Sequence, residues 1–135
     1  MQPLRLSVVV VSWGRPRALA RCLTALAQMR STRFEVIVVA DPDGLAVVRG
    51  LPFADRLTCL PQDQPNISAA RNLGLAAAAT EIIGFVDDDA VPEPDWAEAV
   101  LTGFDDATVD ALTGPVLGRN GISLQWGRMA SDPEG

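Results

Sequence analysis

The sequence contains no histidine, and its only two cysteines, Cys22 and Cys59, each lie in an apolar stretch. Without imidazole side chains, histidine-based zinc sites and catalysis by a histidine base are excluded within this chain. Cys-x-x-Cys pairs and clusters of metal-binding cysteines are also missing from the sequence. We therefore interpret both cysteines as buried free thiols.

Basic side chains and long apolar runs are also scarce. The 11 basic residues are outnumbered by 17 acidic ones, which gives a net charge of −6. This balance argues against nucleic acid or an anionic membrane as the main partner. The apolar run in MQPLRLSVVVVSW is too short for a membrane span or a signal peptide. We expect a cytoplasmic protein, with any membrane association arising from regions outside this chain.

Apolar β-branched runs alternate with segments of helical spacing, a pattern typical of a mostly parallel α/β sheet flanked by helices. Strands are predicted at residues 6–12, 36–40, 57–60, 82–86 and 111–114. Helices are predicted after Pro16, at 45–49, from Asn66 or Ser68 to about Ala79, and after Asp95. The pattern fades beyond Pro115, so we predict one α/β domain at 1–117 and, at 118–135, a loop or tail or the start of a second half that this chain lacks.

Three adjacent carboxylates, Asp87, Asp88 and Asp89, follow the fourth predicted strand in FVDDDAVPEPDW. One interpretation is a solvated turn that caps the next helix. The other is a site for Mg²⁺ or Mn²⁺, because like charges this close repel each other unless a cation lies between them. If the chain stays extended, Asp87 and Asp89 point to one side and Asp88 to the other.

Three further candidates also follow strands, where parallel α/β sheets bind their ligands. Arg71 lies early in a helix within NISAARNLG, and Gly74 suggests that this helix packs closely on the sheet. Trp13 could stack on a flat ring, and Asp41 could accept hydrogen bonds from a base. The alternatives are a solvated arginine, a core or interface tryptophan, and a plain Asp-Pro turn.

Together these segments resemble the inverting family 2 glycosyltransferases of GT-A fold. SVVVVSWGRPRALARCLTAL is similar to the family's first strand, loop and helix, and FEVIVVADPDG to its second strand and acidic turn. NISAARNLG and FVDDDAVPEPDW resemble its Ala-Arg-Asn segment and its DxD region. TGPV is similar as well, so that the resemblance extends from residue 6 to about 117.

The resemblance implies a fold, a ligand and a set of roles. The fold is the Rossmann-like nucleotide-binding half of GT-A enzymes, and the donor is a nucleotide-diphosphate sugar, most often a UDP-sugar. Nucleotide-binding roles fall to Ser12, Trp13, Asp41, Arg71, Asp87 and Asp88. Asp89, together with Asp87, would coordinate Mn²⁺ or Mg²⁺ that bridges the diphosphate. The implied activity is metal-dependent transfer of a glycosyl group to the hydroxyl of a saccharide, lipid or protein acceptor.

The sequence departs from the family pattern in ways that leave other functions open. Val11-Ser12-Trp13-Gly14 replaces the usual Pro-Thr-Tyr-Asn, and nothing after Gly118 resembles the acceptor-binding half with its carboxylate base. The catalytic base therefore has no candidate, and we expect a truncated chain that binds donor without transferring sugar. A non-catalytic module that self-associates through an exposed sheet edge is the alternative. A sugar nucleotidylyltransferase would need a more glycine-rich loop after the first strand.

Overall fold

The computed structural model describes residues 3–31 and 33–113, and the backbone of the pairs 116–117, 124–125 and 128–129. Its main feature is a sheet of four parallel strands in the order β3-β2-β1-β4. The strands are β1 (Leu6–Ser12), β2 (Phe34–Ala40), β3 (Leu57–Pro61) and β4 (Ile82–Asp87). This α/β architecture confirms the predicted fold class.

Helices cover both faces of the sheet. They are α1 (Pro16–Ala27), α2 (Pro42–Arg49) and α3 (Ile67–Ala77), with a short 3₁₀ helix at Ala54–Arg56. Ala70 of α3 packs with Val9, Ile37 and Val39 on one face. Alternation along the strands turns Val8, Val10 and Val38 to the other face, where α1 contributes buried leucines. Both faces of β1 are therefore buried, which explains its nearly continuous run of valines.

Gly74 is the point of closest approach between α3 and the sheet. A Cβ atom at this position would overlap the Val9 side chain of β1. The close packing that the glycine suggested is thus confirmed. Since any larger residue would push α3 away from β1, the glycine sets the distance between helix and sheet.

Two local predictions are resolved by the structure. Asp41-Pro42-Asp43-Gly44, predicted as a turn, instead begins α2: Asp41 occupies the N-cap position and Pro42 the first helical turn. The turn prediction was wrong because Asp-Pro also suits a helix start, where proline's missing N–H costs no hydrogen bond. Of the two predicted caps for α3, Asn66 is the one used, and its side chain accepts a hydrogen bond from the Ala69 N–H at 3.0 Å.

The chain divides into two compact units, Met1–Ala97 and Glu98–Gly135. Helix α4 (Trp96–Phe104) begins at the end of the first unit, and the Leu112 side chain packs against Gly103 within the second. Two short antiparallel pairs follow: β5 (Ala111–Leu112) with β8 (Arg128–Met129), and β6 (Val116–Leu117) with β7 (Leu124–Gln125).

The loop prediction for 118–135 is wrong for the four residues of β7 and β8. The other residues in that range lie outside the described part of the chain, and the domain boundary at 117 stays a prediction. Within the described residues, no helix has both the length and the apolar character that crossing a membrane requires.

Candidate functional site

The strand order creates a switch point between β1 and β4. From β1 the chain moves outward through β2 to β3, and α3 then returns it to the opposite side of β1. Loops diverge beyond the carboxyl ends of two strands at such a point and leave a crevice. The register pairs Val11 with Asp87, so that the loop after β1 lies beside the aspartate triplet.

The three aspartates have two different environments. The chain turns directly after β4, where the Ala90 N–H donates a 3.0 Å hydrogen bond to the Asp87 carbonyl. The side chain of Asp88 is only 4% exposed, whereas those of Asp87 and Asp89 are 76% and 49% exposed. Asp88 is therefore buried between two exposed neighbours, but the extended chain on which the sequence prediction depended ends at Asp87.

Asp88 is held by two residues of the β1 end. The Ser12 hydroxyl, itself buried, donates to Oδ2 of Asp88 at 2.8 Å. Nη2 of Arg15 lies 3.1 Å from Oδ1 of the same carboxylate. Both carboxylate oxygens thus have partners, which offsets the cost of burying a charged group.

Arg15 also reaches Asp89, and this residue was missed from the sequence. Its Nη1 lies 3.5 Å from Oδ2 of Asp89, and the Arg15 side chain is 58% exposed. The available signal was an arginine one residue after Gly14, in the loop that leaves β1. That loop faces the triplet only because β1 and β4 are neighbours, which the sequence pattern does not reveal.

Asp41, at the end of β2, is tied to the same loop. The Gly14 N–H donates to Oδ2 of Asp41 at 3.3 Å, and Gly14 has a φ of +70° that suits glycine. Oδ1 of Asp41 is buried without a hydrogen-bond partner, and a Cβ at Gly44 would lie 2.9 Å from it. Glycine at this position in α2 therefore leaves room for the carboxylate.

Arg71 extends the site along β4. Its Nη2 lies 4.0 Å from Oδ1 of Asp87, and its guanidinium stacks over the Phe85 ring with 5.5 Å to the centroid. Both arginine and phenylalanine are partly exposed. Trp13, on the loop after β1, is 37% exposed, so that its ring is accessible from solvent. Asp87, Arg71 and Trp13 thus all present atoms to solvent in the first unit.

A thiol lies beneath the triplet. The Cys22 Sγ of α1 is buried and donates to the Asp87 carbonyl at 3.5 Å. The pKa of this thiol is raised to about 12. Burial is the main cause, and the negative charges of Asp88, Asp89 and Asp87 contribute the rest. Cys59 is a partly buried free thiol whose pKa burial also raises. The interpretation of two free thiols is confirmed, with full burial only at Cys22.

Comparison with known proteins identifies the family. Residues 7–132 match the family described as Glycosyl transferase family 2. The chain belongs to this family. Among its relatives, it is 28% identical over 112 residues to EpsH of Bacillus subtilis, which is named a glycosyltransferase. The match covers 80% of the chain and 33% of EpsH, so that the chain spans about a third of that protein's length.

Solved structures share the GT-A fold of this family 2 chain. S. aureus TarS superposes with a TM-score of 0.77 at 24% identity, over 89% of the chain and 38% of TarS. TarS in complex with UDP-GlcNAc gives 0.70 at 25% identity, over 86% and 36%. The mannosyltransferase PcManGT from Pyrobaculum calidifontis, in complex with GDP-Man and Mn²⁺, gives 0.76 at 22% identity, over 87% and 37%.

In the part of this family 2 chain that the structure describes, no cluster of acidic side chains encloses a cation by itself. Among the described residues, no group of three or more histidine, cysteine or acidic side chains is arranged to hold a metal ion. The two exposed carboxylates, Asp87 and Asp89, have only the long contacts to Arg71 and Arg15 at 4.0 and 3.5 Å. Contacts of this length between exposed groups are weak, so that both carboxylates can exchange partners.

Proposed function

We propose that this chain binds a nucleotide-diphosphate sugar, with a divalent cation, beyond the carboxyl ends of β1 and β4, for transfer of the sugar to an acceptor hydroxyl. The observation that carries the proposal is the arrangement around Asp88. Its bonds to Ser12 and Arg15 fix the turn and leave the flanking carboxylates of Asp87 and Asp89 exposed. Family membership and the complexes of TarS and PcManGT support the same ligand class.

The donor set of Asp87 and Asp89 fits Mn²⁺ or Mg²⁺. Carboxylate oxygens are hard ligands that both cations prefer, and both side chains are exposed and weakly paired. Two carboxylates leave most of an octahedral shell to diphosphate oxygens and water. When bound, the cation supplies Lewis-acid stabilisation of the negative charge that develops on the leaving diphosphate.

The base would lie among Trp13, Asp41 and Arg71. The exposed Trp13 ring offers a stacking surface for a nucleobase. Asp41 would accept from a base N–H in place of its 3.3 Å bond from Gly14, which is long for an N–H···O bond and therefore readily exchanged. Arg71 would donate to base or phosphate oxygens from its position over Phe85.

Asp88 and Ser12 would act by positioning. Both carboxylate oxygens of Asp88 are engaged, and the Ser12 hydroxyl is directed at Asp88. A contact with the ribose of the nucleotide would therefore fall to Asp87, whose side chain is exposed, and Ser12 would contact the nucleotide through its backbone. The acceptor base has no assigned residue, so the activity of the whole protein rests on family membership.

Nucleotide binding can be tested by thermal denaturation with UDP and GDP, each with and without Mn²⁺, since TarS and PcManGT differ in base. A ligand that binds only the native state raises the melting temperature, by an amount that grows with the logarithm of the ligand concentration above its Kd. We expect a rise with one nucleotide plus Mn²⁺, and none for Asp89→Asn. Asp55→Asn, a change at an exposed aspartate outside the site, should retain the rise. If neither nucleotide shifts the melting temperature, the chain is a fold-only module and the proposal fails.

A further inference from the structure

Arg15 contacts two of the three carboxylates of the aspartate triplet. Its guanidinium lies within 3.1 Å of Asp88 and 3.5 Å of Asp89, and so it neutralises two of the three carboxylates. Neighbouring carboxylates stay ionised at little cost only when a positive charge is close. In the ligand-free protein that charge comes from a side chain of the chain itself.

The two contacts of Arg15 differ in strength. Asp88 is buried and also bonded to Ser12, so the carboxylate side of its pair with Arg15 is shielded from water and held in place, while the Arg15 side chain is 58% exposed. Asp89 is half exposed, its pair with Arg15 is longer, and water competes for both groups. Exposed ion pairs of this kind contribute little to stability, whereas partly buried charge-assisted hydrogen bonds are stronger. The contact with Asp89 is therefore the one that can be exchanged.

The backbone beside Arg15 limits how far the guanidinium can move. Gly14 is anchored to Asp41 by its N–H, and α1 begins at Pro16 directly after Arg15. The loop is thus fixed on its α1 side and held more weakly, by the 3.3 Å Gly14–Asp41 bond, on the other. Its side chain can release Asp89 while its backbone and its bond to Asp88 stay in place.

We propose that Arg15 is a positioning residue that serves as the internal counter-ion of the metal-free site, and that it competes with the divalent cation for Asp89. This inference rests on the proposed function. In the cation-bound protein Arg15 retains Asp88 and so keeps the turn after β4 in shape. Its positive charge also lowers the affinity of the site for a cation when no diphosphate is present.

The test is a titration of the chain with Mn²⁺, with and without UDP or GDP. The electron paramagnetic resonance signal of the free ion monitors how much Mn²⁺ is bound. Arg15→Gln should bind Mn²⁺ alone roughly fivefold more tightly than the wild type, as loss of one weak ion pair predicts. Arg15→Lys keeps the positive charge but lacks the paired N–H donors of the guanidinium. Its affinity for Mn²⁺ should therefore lie between those of the wild type and Arg15→Gln. Arg17→Gln, at an exposed arginine of α1, is the matched control and should bind as the wild type does.

The outcomes separate the two proposals. If the wild type binds Mn²⁺ and Arg15→Gln binds it equally or less tightly, the counter-ion role is wrong while the cation site stands. If no variant binds Mn²⁺ even with either nucleotide, both proposals fail. Circular dichroism checks that each variant is folded, and Arg15→Lys serves as the test should Arg15→Gln fail to fold.

Discussion

The Ser12 hydroxyl and the Asp88 carboxylate form a buried 2.8 Å hydrogen bond between residues 76 positions apart. The bond joins the end of β1 to the turn after β4 and thereby closes the switch point of the sheet. Because Arg15 binds the second oxygen of the same carboxylate, Asp88 connects three chain segments while its exposed neighbours, Asp87 and Asp89, stay available to a ligand.

Asp88→Asn should therefore lower stability, whereas Asp87→Asn should not. Asparagine cannot accept at both oxygens, and the substitution leaves Arg15 or Ser12 with a poorer partner; we expect a loss of about 1–3 kcal/mol in the free energy of unfolding. Asp87 is exposed, so its substitution should change that free energy by less than about 0.5 kcal/mol. Urea denaturation without added metal measures both. Equal losses in the two variants would contradict the positioning role of Asp88.

Gly74→Ala should destabilise the fold despite the better helix propensity of alanine. The added methyl group would overlap Val9, and overpacking of this kind costs about 1–3 kcal/mol, against a gain of about 1 kcal/mol in propensity. Gly50→Ala is the matched control, since a Cβ there lies 3.5 Å from the Val47 carbonyl oxygen and φ is −85°. If the urea midpoint falls equally in Gly74→Ala and Gly50→Ala, or falls in neither, the close contact of α3 with β1 is refuted.

Asn66→Ala should cost about 0.5–2 kcal/mol, because it removes the side-chain acceptor for the first turn of α3. Ser68→Ala is the control: Ser68 lies inside the helix, so that its loss should leave stability within about 0.5 kcal/mol. Thermal and urea denaturation of the pair measure the difference. A larger loss for Ser68→Ala would reverse the assignment of the cap.

Stability should fall at alkaline pH through Cys22. The sequence has no lysine, tyrosine or histidine, so that thiols dominate titration in this range. The native pKa of about 12 exceeds the ordinary 9.0, so the buried thiol stabilises the native state fully below pH 9, and this is lost as pH rises toward 12. The slope is at most about 1.4 kcal/mol per pH unit for one group.

In metal-free buffer with a chelator, Cys22→Ala should weaken the dependence of stability on alkaline pH. Cys59→Ala, at a less buried thiol, should leave most of that dependence in place. Urea denaturation at several pH values from 8 to 11 compares the variants, a range that brackets the ordinary thiol pKa of 9.0. An unchanged slope in Cys22→Ala would show that another group controls the alkaline transition.

Sequence patterns predicted the strands of the first unit well, most of all β1 and β2, whose apolar β-branched runs are mostly buried on both faces. The bounds of β1 are as predicted, and β2 and β4 differ by two residues and one residue. The start of α2 was missed since Asp-Pro-Asp-Gly satisfies the requirements of both a turn and a helix start. The burial of Leu45 and Val48 favours the helix over the turn. This burial is a tertiary effect, which a local sequence pattern does not show.

The sequence named candidate residues for the site, but it did not reveal which of them contact one another. The triplet, Trp13, Asp41 and Arg71 were all chosen because they follow strands or begin a helix at one sheet edge. Arg15 was missed because its partners lie 73 and 74 positions away, and only the placement of β4 beside β1 brings them together. Strand order is a property of the whole chain, whereas hydrophobic periodicity is local.

The central position of β1 has a consequence for how the chain folds. Its pairing with β2 closes a loop of 28 residues, from Leu6 to Phe34, but its pairing with β4 closes one of 76, from Leu6 to Ile82. Longer loops cost more entropy to close, so we expect the β1–α1–β2 crossover unit to form first and β4 to dock late. Pulse-labelled hydrogen exchange should show protection of β1 and β2 amides before those of β4; simultaneous protection would contradict this order. The aspartates would then reach Ser12 and Arg15 only at the final step, so that a nascent chain gains its ligand-binding surface after its core has formed.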